Sequence, residues 1–137
     1  MFFKDMKNNY NEDDLIKIAA LLIHAAKIDE NYSNQEENII KETLVEIGAN
    51  KDHLERILKN AKEIEKNTNQ ILDFTKKVKN MNQQNKIMII ESLWKIIYSN
   101  KEADMYETNL MRRLAGLLYI DNKIMGDIKE KIKKENS

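Results

Sequence analysis

The sequence contains no cysteine and no proline, and only three of its 137 residues are glycine. Without cysteine there are no disulfides, thiolate metal sites or cysteine nucleophiles. A zinc site made of histidine alone is excluded as well, because the two histidines, His24 and His53, lie far apart in the sequence. So little glycine and proline disfavours strand-rich folds, which need turn residues, and excludes a glycine-rich phosphate loop.

The chain also lacks an excess of charge of either sign, since it has 23 basic and 23 acidic side chains. This neutrality gives no bulk electrostatic reason to bind nucleic acid or an anionic membrane. No apolar run approaches the roughly 18 residues that a membrane-spanning helix needs. The first five residues, Met1 to Asp5, do not have the pattern of a signal peptide. We therefore expect a cytoplasmic protein with no membrane span and no nucleic-acid partner.

Apolar residues recur at spacings of three and four through most of the chain, which predicts amphipathic helices. About seven helices are expected, starting near residues 13, 34, 51, 71, 82, 105 and 122. The first and fifth are apolar on more than one side, so they should be central. We predict an all-α fold with an N-terminal extension (1–12), one helical domain (13–134) and a short tail (135–137).

A weak internal repeat relates the two halves of the chain, with equivalent residues 71 positions apart. It pairs Ile18 with Ile89, Leu22 with Leu93, and Glu36 with Glu107. Each half consists of an apolar helix, a short polar loop and a second amphipathic helix. The repeat predicts a pseudo-twofold arrangement in which the helices that carry the two paired leucines are in contact.

Both loops are rich in oxygen ligands, and both lead into the sequence pattern of a capping box. These boxes are Ser33-x-x-Glu36 and Asp104-x-x-Glu107. Alternating oxygen donors on a turning loop are typical of sites for hard cations such as Ca²⁺. The sequence therefore suggests a weak divalent-cation site, Ca²⁺ or Mg²⁺, with these candidate ligands: Asp29, Asn31, Glu36, Glu102, Asp104 and Glu107. Neither loop has the glycine or the final glutamate of an EF-hand.

The stretches LIHAAKIDENYSNQE (22–36) and LWKIIYSNKEADMYE (93–107) resemble the signature of TerB-like domains, a family named for tellurite resistance. The resemblance covers roughly residues 15–129. It implies an all-α fold with a pseudo-twofold core, acidic loops proposed to bind metal, and a link to stress response or to co-chaperones. Two departures from the family pattern concern the loops: Glu30 and Lys101 replace its glycine, and Asn100 replaces the leading aspartate of the second loop.

The sequence leaves more than one interpretation open for the role of the glutamates and for the function of the protein. Glu36 and Glu107 serve either as helix caps alone or also as helpers in cation binding. We expect a non-enzymatic protein, because no Ser/His/Asp arrangement and no carboxylate pair beside an apolar cleft can be identified; a metal-dependent hydrolase is the least favoured reading. The alternative to metal binding is a metal-free module that docks an unidentified protein through its charged second helix or through Met1-Phe2-Phe3.

We interpret His24 as a histidine at the rim of the core, and Trp94 and Tyr98 as core residues.

Overall fold

The computed structural model describes residues 10–27, 33–67, 71–99 and 105–135. In these ranges the chain forms seven α-helices: α1 (Glu12–Ala26), α2 (Asn34–Glu46), α3 (Leu54–Lys66), α4 (Leu72–Lys79), α5 (Gln83–Tyr98), α6 (Met105–Leu117) and α7 (Asn122–Glu135). One turn of 3₁₀ helix, Lys51–His53, leads into α3. The described ranges contain no strand, so the predicted all-α fold is confirmed. The division into extension, domain and tail stays a prediction.

Helices α1 and α5 form the centre of the fold, as their apolar character on several sides predicts. Ten residues of each helix are buried. Helix α1 packs against α2, α3, α4 and α5, while α5 also packs against α2, α4 and α7. Leu22 and Leu93 have no exposed surface, and Trp94 and Tyr98 are buried core residues as expected. None of the described helices is long and apolar enough to cross a membrane.

The two central helices begin with the same local structure. The Asn11 side chain accepts a hydrogen bond from the Asp14 N–H at 2.8 Å, and the Asn82 side chain accepts one from the Asn85 N–H at 2.8 Å. A side-chain oxygen at this position satisfies a backbone donor that the first helical turn leaves without a partner. Asn11 and Asn82 are related by the same offset as Leu22 and Leu93, so the repeat found in the sequence is also present in the backbone.

Helices α2 and α6 also end in the same way. In both, an N–H just beyond the helix, that of Ala49 or of Ile120, donates to the carbonyl five residues earlier, at 2.8 and 2.9 Å. The preceding residue has a left-handed backbone, with φ of 117° at Gly48 and 57° at Tyr119. This is the Schellman arrangement of a helix C-terminus. The offset of the repeat therefore persists through the second helix of each half.

Candidate functional site

Helix α2 begins with the reciprocal cap that the sequence predicts. The Ser33 Oγ accepts from the Glu36 N–H at 3.2 Å, and the Glu36 Oε1 accepts from the Ser33 N–H at 2.7 Å. The Glu36 side chain is only 1% exposed. A carboxylate is stabilised there, because the helix N-terminus carries a partial positive charge. Glu36 therefore fixes Ser33, the residue that follows the first polar loop, to the first turn of α2.

Glu107 occupies the same place in the second half, since each glutamate is the third residue of its helix. Glu107 is also buried, with 4% of its surface exposed. The pKa of the Tyr98 hydroxyl is raised, mainly by burial and further by the negative charges of Glu130 and Glu107. The Glu107 carboxylate therefore lies within electrostatic reach of the last residue of α5. The predicted cap between Asp104 and Glu107 falls outside the described residues.

The end of α1 is held by a buried carboxylate from α3 that sequence reasoning did not identify. Glu65 is 9% exposed, and its Oε1 accepts a hydrogen bond from the Lys27 Nζ at 2.8 Å. The His24 Nδ1 lies 3.2 Å from the Glu65 Oε2. The His24 side chain is 28% exposed, so it does lie at the rim of the core. No local sequence pattern could reveal this cluster, because Glu65 is distant in the chain from both of its partners.

The first polar loop is therefore anchored at both ends by described residues. This loop, residues 28–32, follows Lys27, which Glu65 binds, and precedes Ser33, which Glu36 binds. The second loop, residues 100–104, follows the last turn of α5. In that turn the ring of Tyr98 stacks on Trp94, with 5.9 Å between centroids. The two ends of the first loop are thus held by contacts of Lys27 and Ser33, which lie just outside it.

Four of the six predicted ligands, Asp29, Asn31, Glu102 and Asp104, lie outside the described residues. The other two, Glu36 and Glu107, carry the carboxylate oxygens that hard cations prefer. The part of the chain that the structure describes contains no group of three or more His, Asp or Glu side chains able to hold a metal. A cation bound beside Glu36 or Glu107 would therefore need ligands from the loops.

The fold and these loop–helix junctions define a helical domain built from two similar halves. A family model described as "Tellurite resistance protein TerB" matches residues 15–130. Because the match covers most of the chain, the protein belongs to the TerB family. The resemblance noted in the two loop signatures is thereby confirmed. No curated protein and no solved structure gave a match.

Proposed function

We propose that this TerB-family chain is a non-catalytic, cytoplasmic stress-response protein that binds a divalent cation weakly through its two acidic loops. The observation that carries the proposal is the pair of buried glutamates, Glu36 and Glu107, at equivalent loop–helix junctions. Each glutamate lies in the first turn of the helix that follows a loop with further oxygen donors. Two such junctions in one chain favour a shared role for the loops over an accident of polar sequence.

The anchored ends of the first loop support this proposal on energetic grounds. A loop whose ends are already fixed loses less conformational entropy when its side chains gather around an ion. In the first half the local charge also favours a cation, because residues 28–47 contain six carboxylates and one lysine. The positive end of each helix opposes a cation, and neither loop has a glycine to sharpen its turn. We therefore expect dissociation constants of about 10⁻⁴–10⁻³ M for Ca²⁺.

The first experiment compares melting temperatures with and without Ca²⁺ or Mg²⁺ at constant ionic strength. A cation at roughly ten times its dissociation constant stabilises a protein by about 1.4 kcal/mol, which corresponds to a rise of several degrees. Replacing both aspartates, Asp29→Asn with Asp104→Asn, should abolish this rise. Asp73→Asn, which removes an exposed carboxylate from α4, is the matched control and should leave the rise unchanged.

A single substitution separates capping from cation binding in the second half. Asp104→Asn keeps a good cap, because asparagine and aspartate are comparable at this position, but it removes one charged ligand. We expect a lower cation affinity with little loss of stability. An unchanged affinity would show that this loop forms only a cap and a turn, and cation binding would then have to be abandoned for this half.

The second candidate function is a metal-free module that docks a partner protein. It is favoured by an open cleft of about 440 Å³ beside α2, lined by Lys41, Glu42, Val45, Glu46, Lys51 and Leu54. This cleft lies on the charged second helix that the sequence suggests as a docking surface. The other suggested segment, Met1-Phe2-Phe3, lies outside the described residues. Calorimetric titrations with Ca²⁺, Mg²⁺, Mn²⁺ and Zn²⁺ distinguish the two functions, because a metal-free module gives no saturable heat with any of them.

A further inference from the structure

A second cleft, with a volume of about 170 Å³, lies between α6 and α7. The buried ring of Trp94, from α5, is part of its lining. The apolar walls come from three further buried residues, Met111, Ala115 and Met125. Methionine side chains adapt readily to the shape of a bound group. Ligand sites for drug-sized molecules measure about 300–1,000 Å³, so this cleft suits a single ring or a short alkyl chain.

The repeat identifies the residues of the first half that correspond to the residues lining this cleft. There Lys41, on α2, forms ion pairs with two carboxylates. Its Nζ lies 3.1 Å from an Oε atom of Glu55, on α3, and 3.6 Å from one of Glu37, on its own helix. The hydrogen bond to Glu55 raises the pKa of Lys41 above its ordinary value. The first half therefore supplies its own anions to the cation at this position.

In the second half the cation is kept, but both carboxylates are lost. Arg112 takes the place of Lys41, while Thr108 and Gly126 take the places of the two glutamates. A further cation, Lys129, stands where the first half has Leu58. These four positions have a formal charge of −1 in the first half and +2 in the second. All four residues of the second half line the cleft.

The described residues offer these two cations no replacement anion. No described carboxylate forms a salt bridge with Arg112 or Lys129. The Lys129 Nζ instead lies over the Trp94 ring, 5.5 Å from its centroid. Space is also available on the α7 side, because a Cβ added at Gly126 would meet no atom within 4 Å. The cleft thus combines open volume, an aromatic surface and positive charge that no described carboxylate neutralises.

We propose that this cleft binds a small organic carboxylate with an apolar body, such as an aryl or short alkyl acid. The carboxylate takes the place that Glu55 holds in the first half and pairs with Arg112, whose planar guanidinium matches the two carboxylate oxygens. Lys129 supplies the second positive charge. The apolar body lies against the Trp94 ring and the methionines. This site is separate from the acidic loops, and its ligand has the opposite charge.

Trp94 is the only tryptophan in the chain, so its fluorescence reports directly on the cleft. The test titrates the full-length protein with benzoate and, as a neutral molecule of the same shape, with benzamide. We expect a saturable fluorescence change with benzoate, as the anion draws Lys129 away from the indole, and none with benzamide. Inorganic phosphate carries charge without an apolar body and should bind at least about tenfold more weakly.

Two pairs of variants connect the signal to the proposed contacts. Arg112→Gln should weaken benzoate binding about tenfold or more, because it removes a charge-assisted hydrogen bond. Its neighbour Arg113 is exposed and does not line the cleft, so Arg113→Gln should bind as the natural protein does. Gly126→Glu restores the carboxylate of the first half and should abolish binding. Gly126→Gln adds the same bulk without charge and should weaken binding less.

Folding does not confound this comparison, because Gly126 lies within a helix and glutamate is the better helix former. Gly116→Glu places the same side chain on α6 away from the cleft lining and should leave benzoate binding intact. The proposal is overturned if benzoate gives no saturable change, if benzamide or phosphate matches it, or if Gly126→Glu and Gly126→Gln bind benzoate equally well.

Discussion

The two halves of this chain share a backbone far more closely than they share side chains. Their second helices, α2 and α6, begin and end at equivalent residues, and each is followed by the same short turn. In that turn the Asn50 Oδ1 accepts from the Asp52 N–H at 2.8 Å, and the Asp121 Oδ1 accepts from the Lys123 N–H at 2.7 Å. The residues whose side chains cap the backbone at these positions have thus kept their chemistry.

Positions that face solvent or the space between helices have diverged instead. At the end of the second helix, the first half has Gly48 and the second half has Tyr119. Beside the same helix, the two carboxylates that pair with Lys41 in the first half are replaced by Thr108 and Gly126 in the second, so the cleft there carries net positive charge. The difference shows that local backbone requirements hold the repeat together, while each half remains free to acquire its own surface chemistry.

The largest expected effect concerns the two central leucines. Leu22→Ala and Leu93→Ala should each lower the free energy of unfolding by about 2–5 kcal/mol, because both side chains are fully buried and each substitution leaves a cavity. Urea denaturation measures both values. Leu72→Ala, at a leucine that is 41% exposed, is the control and should cost much less. A loss below about half a kilocalorie at both central sites would mean that the halves do not share a core.

A smaller effect is expected where the halves differ at the end of the second helix. A non-glycine residue with left-handed backbone costs roughly 1–2 kcal/mol. Tyr119→Gly should therefore stabilise the fold by up to about 1 kcal/mol, after the loss of the contact in which the Lys79 Nζ lies 4.9 Å from the Tyr119 ring. Gly48→Ala should destabilise it by about 1 kcal/mol. If Tyr119→Gly and Gly48→Ala both shift the urea midpoint in the same direction, the two turns are not equivalent.

The smallest effect concerns pH and the last residue of α5. Because burial and two nearby carboxylates raise the pKa of Tyr98 above 10.0, the unfolded chain loses this proton first as the pH rises. The contribution of Tyr98 to stability is thus complete below pH 10 and declines above it. We expect Tyr98→Phe to show a shallower fall in the free energy of unfolding between pH 9 and 11. Parallel pH profiles for the two proteins would contradict this assignment.

Much of the fold could be predicted because its signals are local. Helix boundaries and the reciprocal cap of Glu36 depend on residues within one or two turns of each other. The identity of the central helices also follows from their apolar faces. These features required no knowledge of which helix packs against which.

The features that sequence reasoning missed depend on partners far apart in the chain. Glu65, on α3, binds Lys27 at the end of α1, and the buried hydroxyls of Thr43 and Ser92 join α2 to α5. Lys86 is buried as well, and its Nζ donates to the Leu118 carbonyl at 3.0 Å. Only the packing of the helices determines such pairs, so periodicity could not identify them.

The most direct test of the proposed function is a calorimetric titration of Ca²⁺ into the natural protein, followed by the variant that carries Asp29→Asn and Asp104→Asn. We predict saturable binding with dissociation constants of about 10⁻⁴–10⁻³ M in the natural protein and none in the double variant. The absence of saturable heat in the natural protein, or equal binding by both proteins, would contradict a cation site built from the two acidic loops.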